Sequence, residues 1–304
     1  MEQNRDSYIP RWKAFLDLTR AHFAIVWPLL FLSGLFLAFE TYGGFDWGLV
    51  VKAFLIGLFG FEAGMVLNDV IDHRIDEKDV EDSMTQYWRP FSERPIPAGR
   101  ISFGVSIVIV VIFMLIAFGI ILTLPHPHRR YLLLMIPLTY GLESFYNLKK
   151  RHQKFPLAQL FGRMDFTLFP IAGYLLYGHP DLNTLLYFLF FYPLALAHLG
   201  VNDLGDVRND QARGLHTITT LYDVRGTLRW IGIASLLHFV TTVLFLTRLG
   251  QIASIGFGLG MLLVLLANLI IFRKQTPAAA LKALPFVHAA LLVYVLTLMI
   301  DTLL

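Results

Sequence analysis

Two stretches of this chain carry residues suited to chemistry at a recurring spacing. Residues 68–76 read Asn-Asp-Val-Ile-Asp-His-Arg-Ile-Asp, residues 202–210 read Asn-Asp-Leu-Gly-Asp-Val-Arg-Asn-Asp, and the two agree at five of nine positions. On a helix, positions i, i+4 and i+8 share a face, so Asn68, Asp72 and Asp76 form an oxygen stripe about 12 Å long. Asn202, Asp206 and Asp210 form another. Like charges so spaced repel and are costly at a membrane interface, and a hard cation relieves them. Mg²⁺ prefers carboxylate oxygen, keeps some water and completes its octahedron with substrate phosphates. Two facing aspartate stripes with Mg²⁺ therefore make a diphosphate clamp. A single DxxD reads more readily as a helix cap or a solvated loop charge, but a duplicate of the whole pattern does not.

The elements that position these stripes are membrane spans. The 304 residues are 56% hydrophobic and 15% charged, against roughly 25% charged in soluble domains. A net charge of +3 gives no basic patch for nucleic acid, and the absence of cysteine excludes disulfides, thiolate metal sites and cysteine nucleophiles. Stretches of about 20 apolar residues fall at 22–41, 48–67, 102–124, 131–147, 157–178, 183–201, 229–247, 251–272 and 284–304. Alternating the connections across a membrane puts 20 Lys and Arg on one side and 4 on the other, with Arg163 inside a span. That asymmetry predicts a cytoplasmic N-terminus, a polar segment of residues 1–21, and a cell-membrane protein. Of 47 charges, 21 lie in residues 68–100 and 202–229, on the same cytoplasmic face. The expected fold is all-α and multi-pass: one domain over 1–304, nine transmembrane helices, two four-helix units in direct repeat plus a ninth helix. Its active-site loops would be 68–101 and 202–228.

With these motifs the sequence resembles the UbiA superfamily of intramembrane prenyltransferases along essentially its whole length. The resemblance rests on Asn68 to Asp76, on Asp206 and Asp210 followed by Gly214 and Thr217, on Tyr146 and Lys150 as a YxxxK signature, and on the Arg94-Pro-Ile-Pro-Ala-Gly-Arg100 block. It implies Mg²⁺-dependent transfer of a prenyl group from an allylic prenyl diphosphate to a lipophilic acceptor, a quinone-precursor aromatic or an isoprenoid lipid, with pyrophosphate released. Asn68, Asp72, Asp76, Asp206 and Asp210 would then hold metal. Arg20, Asn68, Arg89, Arg94, Lys150 and Asn202 would bind diphosphate. Asp72, Asp206, Tyr146 and Lys150 would carry catalysis, supported by Asp69 and Asp203. In the segment around Arg20, Ala21 replaces the family's usual Pro, and residues 77–93 form a longer loop than the common pattern. That loop reads as a lid, as part of acceptor recognition, or as a neutral insertion.

Other polar residues in the spans are costly in lipid and should face the bundle interior. Glu62, Glu143, Arg163 and Asp165 read as interhelical partners, with Asp165 also placed to orient an acceptor hydroxyl. His198, one turn before Asn202, reads as a base supporting the site or as a bundle histidine; His238, Asn268 and His288 read as packing. The Phe-rich run 187–192 would suit a prenyl tunnel or ordinary span packing. Two other classes compete. A secondary transporter would share the internal repeat but place its ionisable groups near the midplane rather than at span ends. An intramembrane aspartyl protease is suggested by Leu204-Gly205-Asp206 but lacks a second buried aspartate in the proper setting.

Overall fold

The computed structural model describes residues 10–304; residues 1–9, which include Arg5 of the basic count, lie outside the described residues. All regular structure among the described residues is helical. A short amphipathic helix, α1 (Arg11–Leu18), precedes α2 (Val26–Tyr42) and α3 (Trp47–Asp76). Then come α4 (Ser83–Trp88), α5 (Phe103–Leu122) and α6 (His128–Lys149). A π-helical turn (Ala158–Gly162) leads into α7 (Met164–Tyr174), followed by α8 (Leu182–Gly205) and α9 (Val207–Arg213). The chain closes with α10 (Ile218–Leu246), α11 (Gln251–Lys274) and α12 (Pro277–Leu303). Six of these, α3, α5, α8, α10, α11 and α12, are long and apolar enough to cross a membrane, and α2 is a shorter apolar helix.

Helix ends are set by local chemistry. Asp46 accepts from the Gly48 and Leu49 amides at the start of α3, Ser102 caps α5, and Asp181 with Thr184 forms a capping box on α8. Thr217 and Thr220 do the same for α10. Helices outrun the apolar stretches that announce them. At 1.5 Å per residue, α3 is about 45 Å long, against a hydrocarbon core of about 30 Å. Its last turns therefore carry residues 68–76 beyond the apolar run. The stretch expected as one span at 157–178 is instead broken into the π-helical turn and α7, which contains Pro170. The second aspartate stripe is also interrupted: α8 ends at Gly205, and Asp206 (φ −104°, ψ 11°) joins it to α9.

α2 packs on α3, α7 and α12; α8 packs on α7, α10 and α12; and α6 rests on α3 and α7. Helices α2, α3, α5, α6, α7 and α8 all contribute walls to one cavity. The Phe-rich run does not face it. Tyr187, Phe190 and Phe191 are fully buried instead, and Phe190 stacks among Phe245, Phe257 and Tyr294 on the far side of α8. The α2–α7 crossing depends on two glycines. A Cβ on Gly34 would stand 1.9 Å from the Pro170 carbonyl oxygen, and one on Gly173 1.9 Å from that of Phe31. Only hydrogen allows that backbone approach.

Gly173→Ala should thus cost at least about 2 kcal/mol by forced overpacking. Gly119→Ala and Gly258→Ala, which meet nothing within 4 Å, should be neutral or stabilising by up to about 1 kcal/mol. Thermal unfolding in detergent checks this; equal melting shifts at all three positions would contradict the crossing.

Candidate active site

The last turns of α3, the end of α6, the start of α7 at Arg163 and the α8–α9 junction converge on the polar end of a cavity of about 330 Å³. Twelve of the fifteen residues singled out by sequence line it: Arg20, Asn68, Arg89, Arg94, Tyr146, Lys150, Asp165, His198, Asn202, Asp203, Asp206 and Asp210. Asp69, Asp72 and Asp76 are buried just behind this lining. Away from the charges the walls turn apolar, with Trp27, Phe31, Phe61 and Phe169 in mutual ring contact and Ile121 and Leu132 also in the lining. Along α3 the lining runs from Asn68 back to Ile56, about 18 Å of helix axis.

Each aspartate of the first motif is held by cations. Asp69 takes Arg89 at 2.8 and 3.0 Å and Arg20 at 2.9 Å. Asp72 takes Lys150 at 2.7 Å and Arg151 at 2.9 Å. Asp76 meets Arg94 at 2.6 Å and Arg213 at 3.6 Å. Asn68 donates to Glu143 at 2.9 Å and to Asn147 at 3.0 Å, so the stripe along α3 does face one side, toward α6 and α9. Burial pulls the Arg89 guanidinium down to about 10, with Asp69 working against that shift.

The second motif is less well neutralised. Asp206 accepts from Asn209 at 2.7 Å and meets Arg213 at 3.4 Å; Asp210 accepts from the Thr217 hydroxyl at 2.8 Å. Burial raises both carboxyls above the usual range. For Asp210 the neighbouring Asp206 and Asp203 carboxylates push further, whereas Arg213 restrains Asp206. Asp203 serves the fold instead, accepting the Ile218 amide at 2.8 Å and so fixing the start of α10. The Tyr146 ring lies between two cations, 4.8 Å from Lys150 Nζ and 4.1 Å from the Arg163 guanidinium carbon. Gly162 permits this closeness, since a Cβ there would lie 2.5 Å from that of Tyr146. Arg163 in turn binds Glu143 at 2.5 Å and Asp165 at 3.1 Å, the interhelical pairing expected of residues buried in a bundle.

Three contributors, Arg213, Asn209 and His288, escaped sequence reasoning. Arg213 pairs with Asp76, Asp79, Asp206 and Asp210 and so ties the two motifs together. Its position three residues beyond Asp210 continued the stripe and was the available signal. The loop 77–93 forms α4, whose Met84, Thr85 and Trp88 wall the cavity. Asn209 pins that loop, accepting from the Val80 and Glu81 amides at 2.9 Å each. His288, expected as packing, stands 2.9 Å from His198; His238 is a packing residue, bonded to the Phe190 carbonyl and the Tyr294 hydroxyl.

The donor set fits Mg²⁺. Carboxylate and amide oxygens dominate, Asn202 Oδ1 is buried without a hydrogen-bond partner, and the Asp206 and Asp210 carboxyls crowd each other. Among the described residues no three acidic or histidine side chains converge into a ready-made cage. That suits an ion that keeps water and borrows oxygens from a substrate phosphate.

The sequence matches the UbiA prenyltransferase family over residues 25–292. The chain belongs to that family. Relatives include 4-hydroxybenzoate octaprenyltransferases of Yersinia enterocolitica, 31% identical, and Yersinia pseudotuberculosis, 30% identical, each over 120 residues. Those matches cover 38% of this chain and 37% of the relative's length. The UbiA fold recurs in solved structures. A digeranylgeranylglyceryl phosphate synthase is 17% identical with a TM-score of 0.69, over 97% of this chain and 99% of that one. A UbiA homologue from Aeropyrum pernix K1 is 19% identical with a TM-score of 0.69, over 90% and 98%. One from Archaeoglobus fulgidus, bound to GPP and Mg²⁺, is 16% identical with a TM-score of 0.69, over 94% and 99%.

Removing Arg89 leaves the buried Asp69 charge short of a partner, so Arg89→Ala should cost about 3 kcal/mol. Arg208, exposed and paired with Glu81, should cost under about 1 kcal/mol when replaced by Ala. Comparing their melting shifts in one detergent is the check, and equal shifts would contradict the burial argument.

Proposed function

We propose that this UbiA-family protein transfers a prenyl group from an allylic prenyl diphosphate to a lipophilic acceptor. The observation that carries this is the cavity itself: two aspartate motifs and several basic side chains gather at one end, and an apolar channel runs away from them. A diphosphate head and an isoprenoid tail need that polarity in that order. The nine expected spans each coincide with a helix or, for the fifth, with the π-helical turn and α7. We take all nine to cross the membrane as two four-helix units and a last helix, forming one unit with the polar end on the cytoplasmic face of the cell membrane.

Asp72, Asp76, Asp206 and Asp210, with Asn68, are the residues to hold Mg²⁺, which when bound would neutralise charge on the diphosphate oxygens. Arg20, Arg89, Arg94 and Lys150, with Asn202, would grip the diphosphate and stabilise the charge it gains as it leaves. Lys150 is poised for this: its ammonium bridges Asp72 and Asn147 and lies over the Tyr146 ring. The Tyr146 ring would hold the Lys150 and Arg163 cations beside the leaving group. Trp27, Phe31, Phe61 and Phe169 would keep water from the allylic cation. The 4-hydroxybenzoate octaprenyltransferase relatives favour a phenolic acceptor, and the acceptor would enter beside α4.

Purified protein given geranyl diphosphate, 4-hydroxybenzoate and Mg²⁺ should release pyrophosphate, and EDTA should stop it. Lys150→Met should lower kcat by roughly 10²–10³-fold, the usual loss of one preorganised donor to a developing anion. A Lys150→Met enzyme at the wild-type rate would remove that residue from the mechanism.

A further inference from the structure

A prenyl transfer must also dispose of a proton. The allylic carbon–oxygen bond breaks with its electron pair leaving on the diphosphate. A bond then forms from that carbon to an acceptor carbon or oxygen, and the acceptor atom loses the proton it carried. Asp69, Asp72 and Asp76 are paired with cations, Asp203 holds the Ile218 amide, and Asp206 and Asp210 are assigned to the metal. One turn from Asn202, away from the diphosphate end, His198 lines the cavity. From there three side chains run in hydrogen-bonded sequence. His198 Nε2 is 2.9 Å from His288 Nε2 on α12, and His288 Nδ1 is 2.6 Å from the Tyr87 hydroxyl on α4.

We propose that His198 accepts the acceptor's proton and that His288 and Tyr87 relay one to the solvent side. This rests on the transferase reading above. Two imidazole nitrogens 2.9 Å apart share one hydrogen, so the pair holds complementary tautomers. In the starting polarity His198 Nδ1 is bare, His198 Nε2–H donates to His288 Nε2, and His288 Nδ1–H donates to the Tyr87 oxygen. Protonation of His198 Nδ1 reverses every link. His198 passes its Nε2 proton to His288 Nε2, His288 gives its Nδ1 proton to Tyr87, and Tyr87 sheds its own hydroxyl proton to water. One proton enters, one leaves, and no residue changes net charge. Tyr87 is partly exposed. The Asn202 amide, 3.3–3.4 Å from both ring nitrogens of His198, stands beside the ring. Trp88 makes edge contacts with both imidazoles, at 6.3 and 5.1 Å between ring centroids, and lines the cavity next to His198. The relay thus passes through α4, which gives the long 77–93 loop a part in the reaction.

The test is prenylation of 4-hydroxybenzoate deuterated at ring positions 3 and 5, with geranyl diphosphate and Mg²⁺, in wild type, His198→Gln and Tyr87→Phe. Wild type should show no isotope effect, because proton loss is fast. His198→Gln should turn over roughly 100-fold more slowly, with an isotope effect that rises above unity and unchanged affinity for geranyl diphosphate. Tyr87→Phe should move the same way, less far. A His198→Gln enzyme that is unimpaired, or slow without an isotope effect, overturns the proposal. A second measurement needs no acceptor: ¹⁵N-histidine NMR of the whole protein should show scalar coupling across the His198–His288 hydrogen bond, and its absence in wild type overturns the relay. Failure of wild type to bind geranyl diphosphate with Mg²⁺ would contradict the transferase reading instead, leaving the NMR result to decide the relay.

Discussion

A carboxylate inside a membrane bundle must be neutralised, and that requirement organises this protein. Asp69, Asp72, Asp76, Asp203 and Asp210 are all buried at one end of the helices. Every one is met by a cation, a hydroxyl or a backbone amide. Leaving such a charge unpaired would cost several kcal/mol. Arginines are therefore drawn in from the α1–α2 link, the α4–α5 link and α9, and those long side chains fasten the connecting loops over the helix ends. Most of the cations that stabilise the aspartates line the cavity; under the proposed function a phosphate would compete for them and a metal ion would take their place on the carboxylates.

The two ends of the cavity answer opposite demands. At the charged end, oxygen ligands and guanidinium groups would match a diphosphate, the leaving group of the proposed allylic substitution. At the other end, aromatic and aliphatic side chains from α2, α3 and α7 line the cavity; in the proposed reaction they would exclude the water that quenches an allylic cation. Glycines at 34 and 173 bring α2 and α7 backbone to backbone beside this wall.

Much of this was legible in sequence because it is periodic or compositional. The spacing of Asn68, Asp72 and Asp76 led directly to one face of α3, and the apolar runs located the helices. What escaped depended on tertiary partners. Arg213 continues the second stripe three residues beyond Asp210, but spacing alone does not show that it binds carboxylates of both motifs. Asp203 repeats Asp69 in the motif, but one pairs with arginines and the other caps α10. The break at Asp206 divides a stripe that spacing alone predicts to be continuous. His288 lies 90 residues from His198, so their contact had no local signature. The Phe-rich run of α8 failed as a tunnel for a related reason: hydrophobicity marks burial, not which neighbour does the burying.

If both motifs act on one diphosphate, their contributions must be coupled. The direct measurement is a double-mutant cycle on Asp72→Ala and Asp206→Ala. It is read as calorimetric affinity for geranyl S-thiolodiphosphate, a donor analogue with a poor leaving group, in Mg²⁺. Either single change should remove most of the binding, and the pair should cost little more than one. Additive losses, within about 0.5 kcal/mol, would mean two independent sites and would contradict a shared diphosphate clamp.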